Sequence, residues 1–156
     1  MRADPYAAIA AGLCVVGGPL HGTASTAAAE LLDEAMASGA RTTVDRVLSS
    51  GGRLPGFGHS VYRKGDPRLA PLLESVSSLP DPDNRMGVVE ELLVEAGRRL
   101  GHLPNVDLGL GALSFVGVLP RDASLFAVAR IAGWAAHYDE ERSERPVRYR
   151  GITTRN

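Results

Sequence analysis

Apolar residues recur at helical spacing along most of this chain, and glycine or proline interrupts them at intervals. The pattern is clearest from Asn84 to Leu100, where apolar side chains fall every three or four residues and Gly101 follows as a stop. No pair of alternating apolar and polar strands is visible, and no internal repeat. The sequence therefore predicts an all-α fold.

Five further helices are predicted from the same signals. The first opens at Asp4, a good N-cap, with Pro5 at the first helical position, and runs toward Val16. The others are expected at about 24–38, at about 42–49, from near Leu69, and from Pro120 to the charged run DEERSE. Loops of glycine, proline and polar residues separate these segments.

Two of the apolar segments have no polar face. The first helix is apolar almost all round, so it must be buried, against a partner surface that can lie outside this chain. Cys14 within it is expected to be a small buried hydrophobe. The run VDLGLGALSFVGVL at 106–119 is compatible with either a buried helix or a strand, and its internal glycines favour close helix packing.

Composition excludes several classes of function. The 156 residues suffice for one domain, and a net charge of −1 with 5% aromatic residues gives no support for a nucleic-acid partner. The apolar N-terminal run is shorter than the roughly 20 residues of a membrane helix, so we expect a cytoplasmic protein without a membrane partner. A single cysteine excludes an internal disulfide, and no histidine pair has metal-site spacing, so no metal is predicted.

Candidate chemistry concentrates in the loop RLPGFGHSVYRKGDPR at 53–68. Its glycines allow a positive φ or a close approach to a ligand, and His59 can donate, accept or carry charge near neutral pH. Arg63, Arg68 and their cationic neighbours suit an anionic ligand, since the planar guanidinium matches carboxylate or phosphate. The alternative is a solvated basic connector between two helices.

Three motifs in a fixed order carry a family resemblance: GPLHG at 18–22, PGFGHSVYRKGDPR at 55–68 and PNVD at 104–107. Together they resemble the citrate synthase family, which includes the 2-methylcitrate synthases. DPYAAIAAGL near the start, RIAGWAAH at 130–137 and RPVRYRG at 145–151 extend the resemblance over nearly the whole chain.

The resemblance implies a specific domain organisation. Residues of about 20–120 would form the helical small domain, while 1–19 and 121–156 would supply helices and a tail to a large domain. In the family, the N-terminal half of that large domain precedes the GPLHG motif and contributes a third active-site histidine. No residue of this sequence is matched to that histidine.

The resemblance also implies catalytic roles. The family joins the methyl carbon of an acyl-CoA to the ketone of oxaloacetate and then hydrolyses the thioester. By this match, Asp107 is the base that removes the α-proton, and the apolar residues after it would raise its pKa by desolvation. His21 would hydrogen-bond the thioester oxygen, and His59 would polarise the ketone. The alternative for Asp107 is a helix cap.

Substrate-binding residues follow from the same match. Arg68 and Arg130 correspond to arginines that bind the oxaloacetate carboxylates, and Arg145 to one that reaches the neighbouring subunit's site. The family's loop backbone that meets the CoA adenine corresponds to Pro55, Gly56, Phe57 and Gly58. The cation near the CoA phosphates corresponds to Arg63.

The expected ligands are therefore acyl-CoA and oxaloacetate as substrates, without a separate cofactor. Acetyl-CoA and propionyl-CoA remain equally open as acyl donors. The expected assembly is a homodimer or a complex with a separate large-domain subunit. Two other hypotheses remain: a partial, non-catalytic subunit that needs such a partner, and a CoA-binding module without chemistry.

Overall fold

The computed structural model describes residues 3–16, 23–120 and 125–144, and seven α-helices account for most of them. They are α1 Pro5–Val16, α2 Thr23–Ser38, α3 Ala40–Ser49, α4 Leu69–Ser77, α5 Arg85–Arg99, α6 Val106–Val116 and α7 Leu125–Arg142. Within these ranges the extended pairing is confined to an isolated bridge between Phe57 and Pro104. The prediction of an all-α fold is confirmed.

The helix starts follow local chemistry. At α1 the Ala7 N–H donates to Asp4 Oδ1 over 3.0 Å, as the N-cap prediction requires. Helix α3 begins at Ala40, earlier than expected, because Gly39 adopts a φ of 88° and turns the chain directly from α2 into α3. The last helix was predicted from Pro120, which is described and is not helical. Residues 121–124 lie outside the described residues, and α7 is described from Leu125.

Helix α6 lies at the centre of the core, which settles the helix-or-strand alternative for 106–119. Its side chains Leu108 and Phe115 are fully buried, and its main packing partner is α2. Glycine on α6 allows this approach, since a Cβ added at Gly111 would lie 2.7 Å from the Ala28 Cβ and 2.9 Å from the Ala29 nitrogen. A helix enclosed on nearly all sides needs apolar residues all round.

Helix α5 covers this core with one face, as its amphipathic pattern predicted. Val89, Leu92 and Ala96 are fully buried. At its start the Arg85 guanidinium lies 5.0 Å from the centre of the Phe115 ring, and its Nη1 donates to the Phe115 carbonyl over 3.3 Å. The cation thus closes the C-terminal end of α6, where it also complements the helix dipole.

Helices α1 and α7 pack against each other beside this core. The Trp134 indole lies against α1 so closely that a Cβ added at Gly12 would approach it to 3.0 Å, and the Tyr138 hydroxyl donates to the Ala3 carbonyl over 2.9 Å. Within the described residues Val16 alone in this helix is buried, so the predicted burial of α1 would need a surface outside this chain. Cys14 is exposed rather than buried, because α7 covers only one side of α1.

None of the described helices combines the length and the apolar character needed to cross a bilayer.

We expect Gly111→Ala to lower the free energy of unfolding by about 1–3 kcal/mol, since the added methyl meets helix backbone that cannot yield. Gly97→Ala is the matched control, because Gly97 lies in α5 with no atom within 4 Å of an added Cβ. That change should stabilise by up to about 1 kcal/mol through helix propensity. Urea unfolding of both variants measures the difference, and equal stabilities would contradict the proposed close contact.

Candidate active site

Hydrogen bonds join the glycine-rich loop to the segment that enters α6. The Gly58 N–H donates to the Leu103 carbonyl over 2.8 Å, and the Asn105 N–H donates to the Gly56 carbonyl over 2.9 Å. The Asn105 side-chain nitrogen donates to the Gly58 carbonyl over 2.6 Å. These bonds bring together two motifs that lie far apart in the sequence.

Two glycines make this junction possible. Gly56 and Gly58 have φ values of 79° and 84°, in the left-handed region that favours glycine. A Cβ added at Gly56 would lie 2.7 Å from the Leu108 Cβ, so the loop backbone rests directly on the first turn of α6. The prediction that loop glycines serve a positive φ is confirmed at both positions.

His59 is held in one orientation by the backbone that follows it. Its Nδ1 accepts hydrogen bonds from the N–H groups of Val61, over 3.0 Å, and Tyr62, over 3.1 Å. Because Nδ1 is the acceptor, the neutral imidazole carries its proton on Nε2. The Tyr62 ring lies beside it, with 4.8 Å between the ring centres. His59 therefore presents Nε2 as a donor.

Asp66 and Arg68 form a bidentate ion pair at the end of the loop. Nε and Nη2 of Arg68 each donate to a carboxylate oxygen of Asp66 over 2.8 Å. The Asp66 side chain is 1% exposed whereas that of Arg68 is 44% exposed, so the pair has a buried anion and an accessible cation. The hydrogen bonds and charge of Arg68 hold the pKa of the Asp66 carboxyl well below its usual range.

Asp107 occupies the first turn of α6 and is partly buried. Asn105 is the N-cap, and its side-chain oxygen accepts from the Asp107 N–H over 2.9 Å, so the alternative that Asp107 caps the helix is wrong. Burial raises the pKa of the Asp107 carboxyl, as expected from its apolar surroundings, while Arg68 and His59 act in the opposite direction. A nearby anion, Asp66, adds to the upward shift.

A pocket of about 570 Å³ opens beside the loop. It lies between the ends of α3 and α5, and its lining includes Leu48, Phe57, His59, Leu100 and His102. Apolar walls with two histidines among them suit a flat, partly apolar ligand group with polar substituents.

The catalytic and oxaloacetate-binding candidates named from the sequence fall into three groups in the structure. His59, Arg68 and Asp107 are brought together, whereas Arg130 lies exposed on α7, a helix that packs mainly against α1. His21 and Arg145 lie outside the described residues.

Sequence reasoning missed two residues of the site, Asp66 and Asn105. Both stand inside quoted motifs, GDPR and PNVD, where they were treated as spacing between the charged residues of interest. The available signal was their residue type, since Asp and Asn next to proline or a helix start commonly bond backbone N–H groups.

Comparison with known proteins agrees with these motifs. The family model of the citrate synthase C-terminal domain matches residues 1–150. Citrate synthase of Synechocystis sp. is 35% identical over 149 residues, and 2-methylcitrate synthase 1 of Corynebacterium glutamicum is 32% identical over 146 residues. Each match covers 90% of this chain, and the chain spans 38% of the length of either relative.

Two solved structures share the fold. Citryl-CoA lyase from Hydrogenobacter thermophilus superposes with a TM-score of 0.72 at 26% identity, covering 99% of this chain and 66% of the lyase. Citrate synthase from Thermoplasma acidophilum, in a ternary complex with carboxymethyl-CoA and oxaloacetate, has a TM-score of 0.65 at 31% identity, covering 98% of this chain and 45% of that protein. With its family model, sequence relatives and fold in agreement, the chain belongs to the citrate synthase family.

Proposed function

We propose that this chain carries the condensing site of an acyltransferase that joins an acyl-CoA to oxaloacetate and hydrolyses the resulting thioester. One observation carries the proposal. The hydrogen-bonded junction between the loop and α6 brings a carboxylate, an imidazole and an accessible guanidinium together. Those are the groups that carbon–carbon bond formation with a dianionic ketoacid needs. The related citrate synthase from Thermoplasma acidophilum binds carboxymethyl-CoA and oxaloacetate.

Asp107 is the base in this proposal. The methyl group beside a thioester is a weak acid, so it needs a positioned carboxylate that is ionised yet more basic than usual. Partial burial at the start of a buried helix supplies that condition, since desolvation raises the pKa of Asp107. The carboxylate removes an α-proton, and the resulting enol attacks the ketone carbon of oxaloacetate.

His59 and Arg68 act on oxaloacetate. With Nδ1 engaged by two backbone N–H groups, His59 offers its Nε2 proton to the ketone oxygen and can transfer it to the alkoxide that forms. Arg68 binds a substrate carboxylate with the donors that Asp66 leaves, because a guanidinium has five N–H donors and Asp66 occupies two. No metal or separate cofactor enters these steps.

Other roles in the proposal rest on the motif match. His21 stabilises the enol at the thioester oxygen, Arg130 binds oxaloacetate, and Arg145 reaches the site of a neighbouring subunit. For CoA, the backbone of 55–58 meets the adenine and Arg63 the phosphates. The pocket beside Phe57 and His59 supports this part, because it offers apolar walls next to the loop.

The proposal includes a cytoplasmic assembly in which further chain covers α1. The chain spans 38% of its curated relatives, and α1 exposes Tyr6 and Val15 to 83% and 71%. An apolar surface of this kind favours a partner, either a second copy in a homodimer or a separate large-domain subunit.

Replacing Asp107 by Asn should lower kcat by about 10²- to 10⁴-fold, because it removes the base while keeping the shape of the side chain. The assay follows CoA thiol release from acetyl-CoA with oxaloacetate, with propionyl-CoA in parallel. Glu90→Gln, an exposed carboxylate change on α5, is the control and should leave the rate unchanged. CoA binding by a folded chain without any oxaloacetate-dependent thiol release would favour the binding-module hypothesis instead.

The same reaction should show a pH dependence set by Asp107. Since the base must be deprotonated and its folded pKa is raised, the rate should fall on acidification with a midpoint above about 4. A pH profile of kcat/KM measures that midpoint. A profile that is flat down to about pH 4 would contradict the assignment of Asp107 as base.

A second candidate function is the reverse cleavage of citryl-CoA. The observation that favours it is the fold match to citryl-CoA lyase, which has the higher TM-score and shared length of the two structures compared. In that direction the citryl hydroxyl releases its proton to water while the Nε2–H of His59 hydrogen-bonds the forming alkoxide, the carbon–carbon bond breaks, and protonated Asp107 returns a proton to the terminal carbon of the resulting enolate. Acetyl-CoA and oxaloacetate leave, with the thioester intact.

Citryl-CoA given to the purified chain distinguishes the two activities. A synthase hydrolyses it to citrate and free CoA thiol, whereas a lyase gives oxaloacetate and acetyl-CoA without thiol release. We expect thiol release to exceed oxaloacetate formation under the first proposal. Oxaloacetate as the dominant product would replace the synthase by the lyase, and Asp107→Asn should suppress it in the same way.

A further inference from the structure

We infer that Asp66 is a positioning residue that holds Arg68 and the first turn of α6 as one unit, so that oxaloacetate binding and proton abstraction depend on the same buried carboxylate. The inference rests on the proposed function, in which Arg68 binds a substrate carboxylate and Asp107 is the base.

On one side Asp66 fixes the guanidinium of Arg68. Two parallel hydrogen bonds of 2.8 Å set the plane of the group, and the Arg68 backbone N–H donates to the same carboxylate over 3.1 Å. The Tyr62 ring lies 4.9 Å from the guanidinium carbon and covers one face. A long side chain that is 44% exposed would otherwise sample many rotamers. The contacts with Asp66 and Tyr62 therefore orient the remaining N–H donors of Arg68 before substrate binds.

On the other side Asp66 bonds the helix that carries Asp107. Its Oδ2 accepts from the Val106 N–H over 2.9 Å, and Val106 is the first residue of α6. Asn105 accepts from the next N–H, that of Asp107. The first N–H groups of α6 have no partner within the helix, and they donate instead to the N-cap side chain and to a carboxylate from the loop. Because these hydrogen bonds are buried, losing either of them would be costly.

Charge supports the same conclusion. Within the described residues, the ionisable groups that act on the pKa of Asp107, besides its burial, are Asp66, Arg68 and His59. Arg68 alone would lower that pKa, which would weaken the base. Asp66 offsets this lowering of the Asp107 pKa, because its carboxylate lies within hydrogen-bond distance of both Arg68 and the start of α6.

The first arm of the test compares Asp66→Asn with Glu34→Gln. Glu34 makes a bidentate pair with Arg46 on α2 and α3, so its change removes the same kind of contact away from the site. Calorimetry with oxaloacetate should give about 10- to 100-fold weaker binding for Asp66→Asn and no change for Glu34→Gln. A carbon-13 titration should also give a lower Asp107 pKa in Asp66→Asn, a response that loss of stability alone would not produce.

Arg68→Lys separates failure of this inference from failure of the proposed function. If Arg68→Lys binds oxaloacetate as tightly as the natural chain, the substrate role of Arg68 is wrong and the inference falls with it. If Arg68→Lys weakens binding but Asp66→Asn changes neither binding nor the Asp107 pKa, the inference alone is overturned.

A second variant keeps every charge in place and remains informative if Asp66→Asn does not fold. Val106→Pro removes the N–H that donates to Asp66 and puts the ring Cδ in its place, so the carboxylate must move away from the start of α6. The position itself favours proline, since it is the first of the helix and follows an extended Asn105. Relative to Val106→Ala, which measures loss of the side chain, kcat should fall about tenfold. Equal kcat values in the two variants would overturn the link between Asp66 and Asp107.

Discussion

The hydrogen bonds of Asn105 hold together the two parts of the chain that form the candidate active site. Its backbone nitrogen, side-chain nitrogen and side-chain oxygen bond three different groups, at Gly56, Gly58 and Asp107. Because Asn105 is buried, each unmade bond would cost about 1–3 kcal/mol, so the junction has little freedom to open. One asparagine thereby sets the distance between the imidazole loop and the carboxylate helix.

Close packing gives this junction a rigid support. Helix α6 is enclosed by α2, α4 and α5, and its glycines let neighbouring backbone approach to distances at which a methyl group does not fit. Asp107 therefore projects from the start of the most buried helix described, and the loop rests on that same turn through Gly56. A reacting group needs its geometry held to a fraction of an ångström, which elements packed this tightly provide better than a free loop.

Much of this arrangement could be predicted from sequence, and the failures have a physical pattern. Most helix positions followed from periodicity and capping, and the structure agrees. The loop and PNVD motifs, which the family resemblance grouped, lie side by side in the structure. Periodicity did not separate helix from strand at 106–119, because a segment buried on all sides has no polar face to reveal its period. The exposure of Cys14 and the bonding of Asp66 depend on tertiary partners, which local composition does not specify.

The α1–α7 pair and the core should differ in the free energy at which they open. These helices come from opposite ends of the chain and contact each other more than they contact the core, with Trp134 against Gly12 as a central contact. Segments with few buried contacts open at a lower free energy than the global unfolding and exchange their amide hydrogens sooner. The two ends should therefore open as one exchange unit, while the amides around Asn105 and Asp107 stay protected until the whole core unfolds.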